Sequence, residues 1–324
     1  MMLILLLIFV MTMTFFGCEN DNNNEKPVDP PGGNGFVPPD TPDDDLHYKS
    51  ISNLSYGSDS KQTLEIRYPT YLDLLSNKVF IALFLGDTQS DNSHFDILIE
   101  ELLDKSHLKF AAVIINYRTT NKTTEMLDDI YAAIDFLKTN ATKYKFETTK
   151  LGIMGYSVGG YLSILYAYKE IASPIPVKFV LAQSAFTSIS DPAFYSFDTT
   201  DNEKKDQLLT DRLALVSQLV GKPISLDDYN TYIAAGTGNL FEDLQDISVD
   251  SYYNLAYDTV IHLYHGIRDE LYNIKIMQDF AANKSKVTLF TFNAEHDNLN
   301  DDETTMDVAI KKLQDIAESI FIKN

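Results

Sequence analysis

Apolar residues in the body of this chain come as short unbroken runs separated by stripes at helical spacing. The segment Lys78 to Leu85 (KVFIALFL) and the segment Phe110 to Ile115 (FAAVII) are near-continuous apolar runs, the pattern of strands buried on both faces. Gln62 to Tyr68 alternates between polar and apolar positions and predicts a strand that ends at Pro69. Leu151 to Met154, Val177 to Ala182, Val260 to Tyr264 and Val287 to Phe292 predict four more strands. Between them lie helix faces: Phe95, Leu98, Leu102 and Leu103, then Met126, Ile130, Ala133, Ile134 and Leu137, then the apolar stretch Tyr161 to Tyr168. Met306, Ile310, Leu313, Ile316, Ala317 and Ile320 predict a closing amphipathic helix. Strand–helix alternation of this kind predicts an α/β fold, a mainly parallel sheet with helices on both faces. No internal repeat is visible.

Residues 186 to 257 break the alternation. They are polar and rich in tyrosine, with a helical pattern around Gln207 to Val220. An insertion of this length between two core strands has a functional reading, a helical cap over the carboxyl ends of the strands.

The ends of the chain are unlike the body. Residues 1 to 17 form an uncharged apolar run, shorter than the ~20 residues a bilayer span needs, and read as a signal peptide. The run ends at Gly17-Cys18 and resembles a bacterial lipoprotein signal, in which the cysteine becomes the lipidated N-terminus. Cys18 is the single cysteine of the chain. That excludes an internal disulfide and any metal site built from several cysteines. Residues 18 to 45 read as a tether: six of the eleven prolines fall between 19 and 45, with one lysine against eight acidic residues. The acidic residues after Cys18 resemble the surface-export signal of some Gram-negative lipoproteins. The expected location is therefore the outer membrane or cell surface, with membrane contact only through the lipid. Residues 46 to 324 form the expected folded domain.

Composition agrees with a globular body: 44% hydrophobic and 23% charged residues over 324 positions can build a large core. The formal charge is −21, and the tether carries −7 of it. A chain this acidic repels phosphate backbones, so nucleic-acid partners are not expected.

The chemistry concentrates at Gly155-Tyr156-Ser157-Val158-Gly159. A G-x-S-x-G pentapeptide is common by chance, but here a buried strand precedes it and an apolar helix follows. That is the setting of a nucleophile elbow, where a strained turn exposes the serine hydroxyl at the top of a sheet. Gly155 and Gly159 make room for helix and strand to approach, and the Val158 N–H faces a developing oxyanion. A serine nucleophile needs a base, and the base an orienting acid. Of six histidines, His296 follows the last strand and is the expected base; His265, at the end of the strand 260 to 264, is the alternative. His262 alternates within that strand and reads as packed. His47, His94 and His107 precede the nucleophile and read as surface or helix-end residues. Asp269, in the turn after the same strand, is the expected acid, with Glu270 and Asp297 as rivals.

The order Ser157, Asp269, His296 resembles that of α/β-hydrolases. The similarity runs from about residue 48 to 324, and the chain looks close to the secreted carbohydrate-esterase and feruloyl-esterase-like group and to prolyl-oligopeptidase-type catalytic domains. It rests on Tyr56 to Glu65, Asn116-Tyr117-Arg118, Gly155 to Gly160, His265-Gly-Ile-Arg-Asp269, Glu295-His296 and the segment Asp246 to Tyr252. In that group the strand ending at Leu85 leads into a His-Gly-Gly-type turn. Here the turn reads Gly86-Asp87-Thr88, so the second oxyanion donor would be a backbone N–H at Asp87 or Thr88.

The resemblance implies a serine esterase with no cofactor, acting on small-molecule or carbohydrate esters. A related serine peptidase is an alternative. A catalytically weak binding lipoprotein of the same fold is another, motivated by the altered oxyanion turn. No His-Glu-x-x-His, P-loop or EF-hand pattern is present, and Gly236-Thr-Gly238 lacks the third glycine and preceding strand of a dinucleotide site, so no metal is expected. Tyr195, Tyr229, Tyr232, Tyr252 and Tyr253 could stack on a sugar or aromatic acyl group, or form the core of the cap.

Overall fold

The computed structural model describes residues 48–69, 79–86, 96, 99, 110–169, 172–235, 239–255, 258–282, 284–296 and 311. The expected closing helix face, residues 1 to 45 and the helix face Phe95, Leu98, Leu102 and Leu103 lie outside these. Compactness divides the chain into Met1–Asp40 and Thr41–Asn324, and every described residue falls in the second unit.

Among the described residues, eight strands make one sheet: β1 (Tyr48–Ser55), β2 (Thr63–Pro69), β3 (Val79–Leu85), β4 (Phe110–Asn116), β5 (Phe146–Tyr156), β6 (Val177–Gln183), β7 (Val260–Gly266) and β8 (Val287–Phe292). Their order is β1-β2-β4-β3-β5-β6-β7-β8. β1 pairs antiparallel with β2, and β2 with β4. The other five neighbouring pairs are parallel. Each strand expected from the sequence falls on an observed one. β5 is longer than expected because its first half is polar and only partly covered. β1 has no sustained alternation: its pairing shifts register between Ile51 and Leu54, where Asn53 adopts φ +58°.

The helices that matter for the site pack on this sheet. α1 (Thr123–Thr139) buries Met126, Ile130, Ala133, Ile134 and Leu137, the stripe read from the sequence. The methionine, leucine and isoleucine side chains among them each contribute about 1.5–3 kcal/mol of transfer free energy. The one-turn α2 (Ala141–Tyr144) follows. α3 (Val158–Tyr168) is buried on nearly all sides, which explains its lack of a polar face.

Parallel pairing brings the carboxyl ends of the central strands to one edge. Leu85 lies opposite Gly155, Tyr156 opposite Gln183, Gln183 opposite Tyr264, and Gly266 opposite Phe292. In an open α/β sheet this is the edge where ligands bind.

The insertion is helical, as expected. It holds α4 (Asn202–Val220), α5 (Leu226–Ala235) and α6 (Asn239–Ile247), flanked by 3-10 turns at Pro192–Tyr195 and Val249–Leu255. The Asp201 carboxylate accepts from the N–H groups of Glu203 and Lys204 to start α4, and Gly221 at φ +83° ends it. Two ties join the insertion to loops that follow other strands. Gln218 Nε2 donates to Thr119 O at 2.6 Å, after β4. Arg212 donates to Leu271 O, after β7. Within the insertion, Val249 N–H donates to Thr187 O at 2.9 Å. The tyrosines named above serve packing within and beneath the cap: Tyr195 packs on Tyr229 with the rings tilted by 46° and centroids 4.9 Å apart, Tyr232 bonds Ser190 O, and Tyr253 meets Tyr168 edge to face at 5.7 Å. Tyr252 bonds Asp246 and lies under Lys169. α7 (Ile274–Ala281), capped by Asn273, connects β7 to β8.

Candidate active site

Ser157 stands between β5 and α3 with φ +51° and ψ −118°, backbone angles that L-residues with a side chain rarely adopt. Its N–H donates to Gln183 O at 2.9 Å, and its carbonyl accepts from Tyr161 N–H at 3.0 Å, so the turn is held at both ends. The flanking glycines are required by space. A Cβ at Gly155 would meet Gly159 O at 2.2 Å, and one at Gly159 would meet Leu85 O at 2.1 Å. The end of β3 thus rests directly on the first turn of α3. Val158 begins that helix, whose opening N–H groups have no intrahelical acceptor.

Asp269 and His296 arrive through a continuation of the β7–β8 ladder. Ile267 N–H donates to Phe292 O at 2.8 Å and Arg268 N–H to Ala294 O at 3.0 Å. The Asp269 side chain has no exposed surface. Its Oδ1 accepts from the N–H groups of Leu271 and Tyr272, both at 2.9 Å. Its Oδ2 lies 2.8 Å from His296 Nδ1. A carboxylate accepts, so Nδ1 carries the proton and Nε2 is left as an acceptor, 3.2 Å from Ser157 Oγ. The His296 carbonyl accepts from Ser184 Oγ at 2.9 Å. Its ring stands between Tyr156, centroid 5.5 Å away, and the edge of Tyr272 at 5.1 Å.

The structure therefore brings Ser157, His296 and Asp269 into one hydrogen-bonded line. His265, the alternative base, does not reach Ser157. It is fully buried, with Nε2 2.8 Å from Tyr272 O and 3.5 Å from Asp269 Oδ2. The carbonyl acceptor fixes its proton on Nε2, and Nδ1 has no partner among the described residues. Burial pushes its pKa below the ordinary imidazole value against the pull of Asp269, so it stays neutral. Two imidazoles thus flank one carboxylate, and only one faces the serine. His262 packs between Phe179 and Phe290. Glu270 points to solvent and pairs with Lys204.

Asp87, Thr88 and Asp297 lie outside the described residues, as do His47, His94, His107 and Cys18. Gly86 is described, and its carbonyl accepts from the buried Tyr117 hydroxyl at 2.5 Å. Among the described residues no cluster of His, Cys, Asp and Glu could hold a metal ion.

Four contributors were not foreseen: Tyr156, Ser184, Tyr272 and Arg212. Tyr156 and Ser184 directly adjoin strand ends that the sequence marked. Arg212 had a signal of its own, a cation in the same stripe as Leu213, Val216 and Leu219.

A serine on a positive-φ turn follows one central strand. The aspartate and histidine follow two others, on a sheet of this order and direction. The fold is that of the α/β-hydrolases. The model of the BD-FAE family matches residues 81–205, less than half of the chain. A bifunctional GH43-CE protein of Bacteroides eggerthii superposes with TM-score 0.59 at 22% identity over 81% of this chain, which spans only 37% of that protein. A truncated carbohydrate esterase from gut microbiota gives TM-score 0.59 at 18% identity, over 85% of this chain and 98% of that one. Esterase B from Lactobacillus rhamnosis, in an inhibited form, gives 0.60 at 15%, over 84% and 90%. No curated protein sequence matches the chain.

Proposed function

We propose that this α/β-hydrolase is a serine esterase cleaving carboxylic esters, with acylated carbohydrates as its substrate class. The observation that carries the reading is the line Ser157 Oγ, His296 Nε2, His296 Nδ1, Asp269 Oδ2, at 3.2 and 2.8 Å, built on a positive-φ elbow. Ser157 Oγ attacks the ester carbonyl while His296 Nε2 takes its proton. The oxyanion forms against the Val158 N–H at the start of α3, with a second donor assigned to the turn at Asp87 or Thr88. Collapse breaks the ester C–O bond, and His296 returns the proton to the leaving alcohol. Water, activated by the same imidazole, then frees the acid and regenerates Ser157. Asp269 holds the ring and stabilises its cation throughout. No cofactor enters. The carbohydrate assignment is supported by the BD-FAE match and by the neighbour described as a carbohydrate esterase.

The same reading makes Cys18 the lipidated N-terminus, after removal of residues 1–17. Residues 18–45 then tether the domain at the outer membrane or cell surface of a Gram-negative bacterium. Support comes from the position of the single cysteine and the acidic, proline-rich stretch that follows it.

Acetyl, butyryl and feruloyl esters, with a dipeptide amide as the peptidase control, test the activity. Ester turnover that disappears in Ser157→Ala, and fluorophosphonate labelling lost in the same variant, are expected. Equal hydrolysis by Ser157→Ala and wild type would overturn the esterase. Cys18→Ser should lose detergent partitioning, and unchanged partitioning would overturn the anchor.

A further inference from the structure

Arg212 lies on the inner face of α4 and is 5% exposed. Burial pulls its pKa down, and no carboxylate among the described residues bonds to it. An unpaired buried cation is costly. Its contacts show what it holds. Nη1 donates to Phe194 O at 2.5 Å and Nη2 donates to Leu271 O. The guanidinium carbon lies 4.1 Å from the Phe194 ring centroid and 4.7 Å from that of Tyr272. Those two rings are nearly parallel, at 8°.

Leu271 O and Tyr272 N–H are opposite ends of one planar peptide unit. Arg212 takes the carbonyl end, and Asp269 Oδ1 takes the N–H end. A cation on the carbonyl fixes the plane of the unit and polarises its N–H toward the carboxylate. The Tyr272 ring carries the same restraint to His296, which meets it edge-on. Lys204, eight residues earlier on α4, pairs with Glu270. One helix of the insertion thus grips Glu270, Leu271 and Tyr272 in succession.

We propose that Arg212 is a positioning residue for the triad: through the Leu271–Tyr272 peptide it sets Asp269, and so aims His296 at Ser157. The cap insertion is then a buttress of the acid turn rather than a swinging lid. The proposal rests on the esterase reading of the site.

The test measures kcat and KM on a nitrophenyl ester for wild type, Arg212→Met and Arg212→Lys, with Ser157→Ala as background. Amide hydrogen exchange at Leu271 and Tyr272 is followed in parallel. Misplacing a reacting group by about 1 Å costs on the order of 10²-fold. Arg212→Met is therefore expected to lose roughly 10- to 100-fold in kcat with KM nearly unchanged. Arg212→Lys, which keeps a cation for Leu271 O, should recover much of that. Exchange should quicken at Leu271 and Tyr272 while β5 and β6 keep their protection. A folded Arg212→Met with wild-type kcat, or unchanged exchange at both amides, overturns the proposal. So does an equal loss in the Lys and Met variants. If Arg212→Met does not fold, Arg212→Lys is expected to show a several-fold lower kcat and faster exchange at the two amides, and wild-type values for both overturn it. If wild type shows no turnover above Ser157→Ala, the esterase reading fails, while the exchange data still decide whether Arg212 holds the turn.

Discussion

Replacing Ser157 by glycine should give a more stable protein than replacing it by alanine, the reverse of the usual order. The elbow holds φ +51° and ψ −118°, a conformation that costs a residue with a Cβ about 1–3 kcal/mol. Alanine keeps the Cβ and therefore the strain; glycine removes both. Either change deletes the hydroxyl that faces His296 Nε2 at 3.2 Å, so that loss cancels in the comparison. Against the relief stands the freer unfolded chain of glycine, worth about 0.5–1 kcal/mol. The balance favours glycine by about 1 kcal/mol. For a domain of 150–250 residues that is about 2–4 °C in melting temperature. In an ordinary helix interior the same comparison gives glycine a deficit of up to about 1 kcal/mol. Urea denaturation and thermal scans of the two variants at neutral pH measure the difference, and neither variant is expected to turn over ester. An alanine variant as stable as the glycine one, or more so, would refute the claim that the elbow stores strain.

Three further outcomes follow from the geometry. Gly159→Ala places a Cβ 2.1 Å from Leu85 O and 2.3 Å from Gly86 O, both backbone atoms, so β3 and α3 must separate. Ester turnover should fall at least tenfold and the melting temperature drop by several degrees, and wild-type behaviour would show that the strand end yields freely. His265 is held neutral by burial while the unfolded chain protonates it near pH 6.5. Its folded pKa is depressed, so its share of stability is full above about pH 6.5 and is lost as pH falls below that. His265→Gln keeps a donor for Tyr272 O and should flatten the fall by up to about 1.4 kcal/mol per pH unit; urea midpoints at pH 7.5, 6 and 5 that decline in parallel in both proteins would contradict this. Asp129 is a buried carboxylate that accepts from the Arg118 N–H, from the Arg118 guanidinium and from Gln62 Nε2. Asp129→Ala should cost about 3 kcal/mol, the low end for a broken buried pair because Arg118 can still reach water, and a loss under 1 kcal/mol by denaturation would show the cluster is dispensable.

Which parts of this architecture could be read in advance follows from how locally each is encoded. Unbroken apolar runs made β3, β4, β6 and β7 legible, and β8 was legible from its β-branched and aromatic residues although it is only partly covered. The half-exposed β1 was not, because it lacks sustained alternation and its pairing with β2 shifts register between Ile51 and Leu54, and neither was the first half of β5, which is polar and only partly covered. The elbow was legible because a turn this crowded admits only glycine at 155 and 159, and that requirement is local. Asp269 and His296 were legible from their place after strand ends. His296 was the expected base and His265 the alternative, although their places along the chain differ little. Both follow or end adjacent strands, and both lie beside Asp269. The decision falls to the turn 293–295, which carries His296 past the strand end, while His265 remains within β7 with its Nε2 committed to Tyr272 O.

The two halves of the site are held by different parts of the fold. The nucleophile turn depends on the sheet and on α3: Gly155 against Gly159, Gly159 against Leu85, Ser157 N–H on Gln183 O. These contacts belong to the shared framework of strands and leave little freedom in sequence. The acid and base stand on loops that the β7–β8 ladder extends only as far as Arg268 and Ala294. Beyond that point Asp269 relies on its own turn, and the turn relies on α4 through Arg212 and Lys204. Perturbing the insertion should therefore act on proton transfer before it acts on the position of the nucleophile. It also follows that opening the insertion as a rigid lid would release Leu271 O from Arg212 and with it the support of the acid turn.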